Sequence, residues 1–429
     1  MYMNKTKKCS KKMKFEDCEQ MIARSVVAEA MHTKAKARVM SPANVKANAV
    51  VEEFIRKSKC VCYGGTAINN LLPTAEQFYD PEVDVPDYDM YSPTPVKHAK
   101  MLADVYKKGG FEYVEAKSGL HVGTFKVFVN FAAVADITYM EPPLFKAVSK
   151  EAVLKDGILY ADPNMLRQSM YLELSRPNGD IERWNKVLPR LVLLNKHYPM
   201  KETTCALQQP MSNKLYDFKK QNELAALIEN NFISQKVMFI GGFADALYAL
   251  YMKKPVRSTP DYDVVALNPE KTAQLLKEDL LRNGYKKVKI QSHAAIGDMI
   301  SKHYEIMLGK DTVAFIYGTT GCHSYNVVER NGNEIRVATI DTLLSFYLAF
   351  LYVDRDYMNK DRILCMSSVL FQVQHKTMNE QKGVLKRFSL ACYGEQDDLP
   401  ETRRKKTIMR GKLKRGTSQW DNWFLDYRP

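Results

Sequence analysis

The sequence predicts an α/β (α+β) protein built from two related halves, and two observations lead to this prediction. The runs Gly64-Gly65 and Asp87-Tyr88-Asp89 recur later in the chain as Gly241-Gly242 and Asp261-Tyr262-Asp263. In both halves a short apolar run precedes the glycines and a helical pattern follows them. A repeated signature of this kind predicts two domains in tandem, each with a small mixed sheet and flanking helices. The 429 residues leave room for about two or three domains with separate cores.

The first half supplies its elements in a regular order. An apolar run at 60–63 predicts a strand that leads into the glycine turn, and Pro73 ends the helix that follows. Gly109 and Gly110 close an amphipathic helix, and alternating apolar residues after them predict strands. The elements predicted are helices at 66–72, 94–108 and 163–197 (broken at 177–179) and strands around 87–89 and at 111–116, 124–130 and 133–139.

The second half repeats this order. The elements predicted are helices at 213–231, 243–252, 269–283 and 339–352 and strands at 237–240 and around 261–263. The domains predicted from these elements are a basic arm and N-terminal helix (1–43), a first domain with following helices (44–210), a second domain (211–400) and a basic tail (401–429). Six lysines within residues 1–14 predict a disordered arm, and the basic tail is expected to be flexible or extended.

The amino-acid composition indicates what kind of molecule the chain binds. The chain carries 63 Lys and Arg against 49 Asp and Glu, a net charge of +14, which favours a polyanion such as nucleic acid over a merely solubilising surface. Basic residues near aromatics, Lys126 and Arg176 among them, are candidates for a nucleic-acid path. No apolar run approaches a membrane span. The eight scattered cysteines are expected to be reduced thiols in a cytosol-like compartment.

The chemistry of the first half centres on three carboxylates. Asp87 and Asp89 are one residue apart on a predicted strand, so their side chains point to one face and can share divalent metals. Asp136 lies inside the apolar run 132–139, where an unpaired carboxylate would be costly; a metal or a cation partner is therefore expected. The alternative is an aspartate that caps a turn at the strand end.

The glycine turn is the expected phosphate site. Gly64 and Gly65 allow the backbone to approach a triphosphate, and the helix starting near Thr66 directs its N–H groups at the anion. The Walker pattern Gly-x-x-x-x-Gly-Lys-Ser/Thr is absent from the sequence. The combination of glycine pair, Asp-x-Asp and a later aspartate favours nucleotidyl transfer.

The second half departs from the first at its third carboxylate. Alignment of Val134-Ala135-Asp136-Ile137 with Val313-Ala314-Phe315-Ile316 puts a phenyl ring where a ligand is needed. We interpret this half as catalytically silent, although Asp261 and Asp263 could still hold one ion. The alternative is that Glu305, on a nearby strand, replaces the missing aspartate.

These motifs resemble one family. The runs Tyr63–Asn69, Pro86–Ser92 and Tyr171–Pro177 are similar to the poly(A) polymerase catalytic subunit of large cytoplasmic DNA viruses (poxvirus, giant-virus and asfarvirus types), over roughly residues 44–352. The resemblance implies tandem polymerase-β-like nucleotidyltransferase folds, the second degenerate. It also implies template-independent polyadenylation of mRNA 3′ ends from ATP with Mg²⁺ or Mn²⁺. Asp87, Asp89 and Asp136 would then be the catalytic metal ligands and Gly64, Gly65 and Thr66 the nucleotide-binding turn.

The resemblance also sets expectations for partners and location. It implies a single-stranded RNA 3′ end as substrate, and either a homodimer or a separate processivity subunit. It implies the cytoplasm of the infected cell, with packaging in the virion left open. Two other functions stay open at this point: a nucleotidyltransferase with a small-molecule or cyclic product, and a non-catalytic RNA-binding scaffold.

Overall fold

The computed structural model describes residues 9, 10, 12–200, 218–252, 262–353, 355, 359–378 and 380–429. The described residues divide into two compact units. Unit 1 contains those up to Tyr139, together with 154–160 and 414–429, and unit 2 contains 140–153 and those within 161–413. Most of the predicted lysine arm, residues 201–217 around the predicted boundary between the two domains, and Asp261 lie outside the described residues. The domain boundaries proposed from the sequence stay a prediction.

The secondary structure alternates helices and strands along the chain. The helices are α1 (Phe15–Val39), α2 (Pro42–Ser58), α3 (Gly64–Leu71), α4 (Pro95–Lys108), α5 (Pro142–Glu151), α6 (Pro163–Leu174), α7 (Trp184–His197), α8 (Phe218–Ser234), α9 (Gly241–Ala249), α10 (Pro269–Arg282), α11 (Ile340–Phe350), α12 (Lys360–Lys376), α13 (Leu399–Lys412) and α14 (Ser418–Phe424).

The strands form two mixed sheets of eight. They are β1 (Val61–Tyr63), β2 (Tyr88–Ser92), β3 (Val114–Ser118), β4 (Thr124–Val129), β5 (Ala132–Tyr139), β6 (Val153–Lys155), β7 (Ile158–Tyr160), β8 (Met238–Ile240), β9 (Tyr262–Ala266), β10 (Val288–His293), β11 (His303–Leu308), β12 (Asp311–Gly318), β13 (His323–Arg330), β14 (Asn333–Ala338), β15 (Cys392–Tyr393) and β16 (Asp426–Tyr427).

The two sheets share one topology, which confirms the predicted α/β duplication. The first has the order β16-β3-β4-β5-β2-β1-β7-β6 and the second β10-β11-β12-β9-β8-β14-β13-β15. In each, the central Asp-bearing strand runs parallel to one neighbour (β2 with β5, β9 with β12) and antiparallel to the other (β1, β8). Seven strands therefore correspond one to one, and each sheet adds one strand at an end.

Alternation along the strands of the first sheet separates its two faces. In β2, Tyr88 and Met90 are buried while Asp89 is partly accessible, and β4 shows the same pattern around Lys126. Successive side chains of a strand point to opposite faces, so one face joins the core and the other carries the polar residues. Leu102 and Tyr106 of α4 are fully buried in the core of this unit.

The core of unit 2 is centred on α11. All eleven of its residues are buried, as expected for a helix that is apolar on every side. One residue of this helix is charged: Asp341, in its first turn. The Asp341 carboxylate accepts two hydrogen bonds of 2.9 Å, from Nε and Nη2 of Arg387. Its carboxylate is 0% exposed and the guanidinium 10% exposed. The pair is therefore a buried ion pair whose partners depend on each other.

Two predictions are corrected by the fold. The tail expected to be flexible or extended is helical at 399–412, because Asp398 caps the helix through the Glu401 N–H and Pro400 lies in its first turn. The expectation of reduced thiols is wrong for Cys9, Cys18, Cys322, Cys365 and Cys392, which are disulfide-bonded. Pairing of β13 with β15 brings the Cα atoms of Cys322 and Cys392 to 5.4 Å, and they form a disulfide, as do Cys9 and Cys18. Within the described ranges, no helix is long and apolar enough to cross a bilayer.

We predict that Arg387→Leu lowers the free energy of unfolding by about 3–5 kcal/mol, because it leaves the Asp341 carboxylate buried without its cation. The midpoint and slope of urea unfolding measure this loss. The control is Lys405→Leu, which breaks an exposed pair with Asp397 and should lower the free energy of unfolding far less than Arg387→Leu does. If Arg387→Leu loses less unfolding free energy than the control does, the core around α11 does not depend on this ion pair.

Candidate functional site

Strand register brings two of the three predicted carboxylates side by side. In the parallel pairing of β2 with β5, Asp89 is the direct partner of Asp136, 47 positions later in the chain. Directly opposed residues on neighbouring strands project to the same face of a sheet. Asp89 is partly accessible and the Asp136 side chain is 14% exposed. The two carboxylates therefore share one partly open face of the sheet.

Asp87 lies immediately before β2 and is exposed. Its backbone carbonyl accepts a hydrogen bond of 2.6 Å from the Thr66 hydroxyl in the first turn of α3. This bond connects the glycine turn to the entry of the Asp-x-Asp strand. Thr66 itself is buried, so its hydroxyl holds the backbone at Asp87.

The glycine turn is required by the carboxylate beside it. β1 ends at Tyr63 and α3 begins directly at Gly64, whose φ is +72°. A Cβ at Gly64 would lie 2.2 Å from Oδ2 of Asp89, so any larger residue there would have to displace this carboxylate. The sequence predicted a glycine for phosphate approach; the structure adds that Gly64 makes room for Asp89. Gly65 follows as the second residue of α3 and is partly accessible.

An ion pair at Asp136 was not identified from the sequence. Lys126 is the register partner of Asp136 in the antiparallel pairing of β4 with β5, and its ammonium donates to Oδ2 of Asp136. The other oxygen, Oδ1, is buried and accepts no hydrogen bond. The requirement for a metal or a cation at Asp136 was predicted correctly, but the identity of the cation depends on sheet order, which the sequence did not give. The feature of the sequence that indicates this ion pair is a lysine in the middle of the apolar run Phe125–Val129.

Aromatic and hydroxyl side chains border the carboxylates. Tyr63 and Tyr91 stack with ring centroids 3.8 Å apart and an interplanar angle of 8°. The Tyr63 hydroxyl lies 2.9 Å from Oγ1 of Thr138, which lies 3.1 Å from Oγ1 of Thr124. Burial raises the pKa of the Tyr63 hydroxyl well above its usual value, with the carboxylates Asp89 and Asp136 adding to the effect. Tyr63 is therefore a neutral hydrogen-bonding group at neutral pH.

The fit of a divalent ion rests on the Asp89–Asp136 pair. The buried Oδ1 of Asp136 needs a donor or a cation, and its register neighbour is a second carboxylate. In the part of the chain that the structure describes, no three His, Cys, Asp or Glu side chains lie close enough together to hold a metal as they stand. Convergence of Asp87, Asp89 and Asp136 on common ions therefore stays a prediction.

The corresponding position in unit 2 has the same glycine but a different residue in place of one of the predicted metal ligands. Gly241 has φ +63°, and a Cβ there would again lie 2.2 Å from an aspartate Oδ2, that of Asp263. The register partner of Asp263 on β12 is Phe315, which confirms the alignment made from the sequence. Glu305 is the partner of Phe315 on β11, so it lies one strand further from Asp263 than Asp136 lies from Asp89.

Glu305 has partners of its own. His293 Nε2 lies 2.9 Å from its Oε2, and the Thr312 hydroxyl donates to Oε1. Burial lowers the pKa of the neighbouring His303 to about 4, so this imidazole is neutral at pH 7. The polar groups around Glu305 form a buried cluster beside Phe315.

Comparison with known proteins gives the fold class first. A solved structure, the Megavirus polyadenylate synthase, superposes with a TM-score of 0.82 over 99% of this chain and 89% of that one, at 19% sequence identity. The chain as a whole therefore has the same fold as the Megavirus polyadenylate synthase.

The family resemblance is confirmed for part of the chain. Residues 49–180 match the family described as poly(A) polymerase catalytic subunit. Two viral proteins provisionally named poly(A) polymerase catalytic subunits also match part of the chain. The mimivirus protein is 32% identical over 165 residues, and the African swine fever virus protein 35% identical over 157 residues. These matches cover 38% and 35% of this chain but 28% and 33% of the relatives, about a third of their length.

We predict that Gly64→Ala destabilises the protein more than a left-handed backbone alone explains. The left-handed conformation costs an alanine about 1 kcal/mol, and displacement of the Asp89 carboxylate adds about 1–3 kcal/mol of overpacking. The free energy of unfolding measures the total. Gly110→Ala is the matched control, because Gly110 has φ +87° and nothing within 4 Å of its Cβ position. Equal losses of unfolding free energy in the two variants would show that the Asp89 carboxylate does not need the room left by the missing Cβ of Gly64.

Proposed function

We propose that this chain is a polynucleotide adenylyltransferase that extends mRNA 3′ ends without a template, transferring AMP from ATP to the RNA 3′-hydroxyl. The observation that carries this proposal is the register pairing of Asp89 with Asp136 beside the Gly64 turn. That arrangement lies within the segment that matches the poly(A) polymerase family. The proposal is further supported by the basic balance of the chain, because a polymerase without a template must hold a single strand largely through its phosphates.

The residues of the site have distinct roles in this proposal. Asp87, Asp89 and Asp136 would hold Mg²⁺ or Mn²⁺. Such ions, when bound, supply the positive charge that favours ionisation of a 3′-hydroxyl and stabilises a pyrophosphate leaving group. The N–H groups at the start of α3, from Gly64 and Gly65, would bind the triphosphate.

Thr66 would act through the backbone. Its hydroxyl already donates to the carbonyl of Asp87, so it fixes the distance between the phosphate-binding turn and the first carboxylate. Orientation of this kind matters because a nucleophile and a phosphoryl group react only when they are held in line.

The second unit would be catalytically silent in this proposal. Phe315 cannot ligate a cation, and Glu305 is separated from Asp263 by the strand that carries Phe315. We further propose single-stranded RNA as the partner of the enzyme and the cytoplasm of an infected cell as its location. Homodimer formation and a processivity subunit stay predictions of the resemblance.

We predict that Asp89→Asn and Asp136→Asn each reduce primer extension by about a thousandfold, because several kcal/mol of transition-state stabilisation depend on the metal ligands. The assay offers an oligo(A) primer with each of the four NTPs in turn and resolves the products on a gel. ATP should give a ladder, and the other three NTPs shorter or no extension.

The matched control is Asp263→Asn. Asp263 has the same residue type, strand position and glycine contact as Asp89, in the other unit. It should retain at least half of the wild-type rate. Extension that survives both Asp89→Asn and Asp136→Asn would refute the assignment, and a discrete small product without a ladder would favour a small-molecule nucleotidyltransferase. Absence of Mg²⁺-dependent ATP binding would favour the RNA-binding scaffold.

A further inference from the structure

A row of charged residues crosses the first sheet through the candidate site. Register pairs join Asp89 to Asp136, Asp136 to Lys126, and Lys126 to Lys117. Because each is directly opposite the next, all four side chains leave the same face. Adjacent strands are about 4.8 Å apart, so Lys126 is the cation on the strand next to the two carboxylates and Lys117 is one strand further away.

Lys126 approaches Asp136 from the solvent side. Its side chain is 38% exposed, against 14% for Asp136, and its ammonium holds Oδ2 while Oδ1 is left buried without a hydrogen bond. Two carboxylates in register repel each other, and a neighbouring cation reduces that repulsion. Lys126 therefore provides charge compensation at the place where a divalent ion would provide it.

Unit 2 supplies an internal comparison. At the positions that correspond to Asp136 and Lys126 it has Phe315 and Glu305, again in register with each other. The lysine is absent where the aspartate is absent, although the strand order and pairing are retained. The sheet therefore does not need a cation at this position, and the lysine accompanies the carboxylate that it contacts.

We propose that Lys126 is a charge placeholder: it binds Asp136 in the metal-free enzyme and leaves Oδ2 when a divalent cation binds. This inference rests on the proposed function, because it assumes that Asp89 and Asp136 take a metal. The placeholder stabilises the site before metal binding and lowers its affinity for metal, since the ion must displace the ammonium. Its long, half-exposed side chain can move away without disturbing β4, because Phe125 and Val127 hold that strand in the core.

The test measures Mn²⁺ binding to the full chain without ATP or RNA, by the electron paramagnetic resonance signal of free Mn²⁺. Lys126→Met should bind Mn²⁺ about fivefold more tightly than wild type, a size set by the interaction of half-exposed charges. Its melting temperature without metal should fall, and the increase on adding Mn²⁺ should be larger than in wild type. Lys126→Gln serves as a second neutral variant, and Lys126→Arg, which keeps the cation, should bind Mn²⁺ as wild type does.

The control is Lys117→Met, which removes a lysine from the same face but from a pair with Glu115. It should leave Mn²⁺ affinity within twofold of wild type. Unchanged or weaker binding in both neutral Lys126 variants would overturn the inference, as would an equal gain in Lys117→Met, which would indicate a general effect of charge. If wild type binds Mn²⁺, neither of these two results contradicts the proposed function. Failure of wild type to bind Mn²⁺, or binding unaffected by Asp136→Asn, would overturn the proposed function together with the inference.

Discussion

The parallel pairing of β2 with β5 is the constraint on which the candidate site depends. It joins strands that are separated by 39 intervening residues and sets Asp89 directly against Asp136. A slip of one residue would turn Asp136 into the core and bring the buried Ala135 or Ile137 to the polar face. The apolar residues on either side of Asp136 therefore fix the register, and the register in turn fixes the carboxylates.

The glycine turn is coupled to the same register. Asp89 is paired with Tyr63 on β1, so its carboxylate lies against the first residue of α3, where only the absence of a Cβ leaves room. The Thr66 hydroxyl then connects α3 to the backbone at Asp87. Strand, turn and helix thus determine each other's positions within a few residues. The backbone that carries the carboxylates is therefore fixed by packing alone, which is one part of what a preorganised site requires.

Local sequence pattern is sufficient to predict much of this architecture, but contacts between distant segments decide the rest. The duplicated order, the helix over 94–108 and the substitution at Phe315 followed from periodicity and from the repeat. The Lys126–Asp136 pair did not, because the partner of a strand residue is decided by sheet order and register over the whole unit. The tail differs from its prediction for another reason: a high charge does not by itself prevent a helix, and Asp398 and Pro400 supply a local helix start. Pairing of Cys322 with Cys392 likewise depended on the contact between β13 and β15.

The two units together show what the repeated motif means. Gly241 and Asp263 retain the same close contact as Gly64 and Asp89, although the carboxylate at the next strand has been lost in unit 2. Packing alone is enough to keep them, because a larger residue in the turn would have to displace the aspartate that occupies that space. A glycine pair followed by Asp-x-Asp is therefore first a signature of the fold. In the proposed function, the residue that would separate a metal-binding copy from a silent one is the register partner on the neighbouring strand, Asp136 or Phe315, together with the charge that lies beyond it.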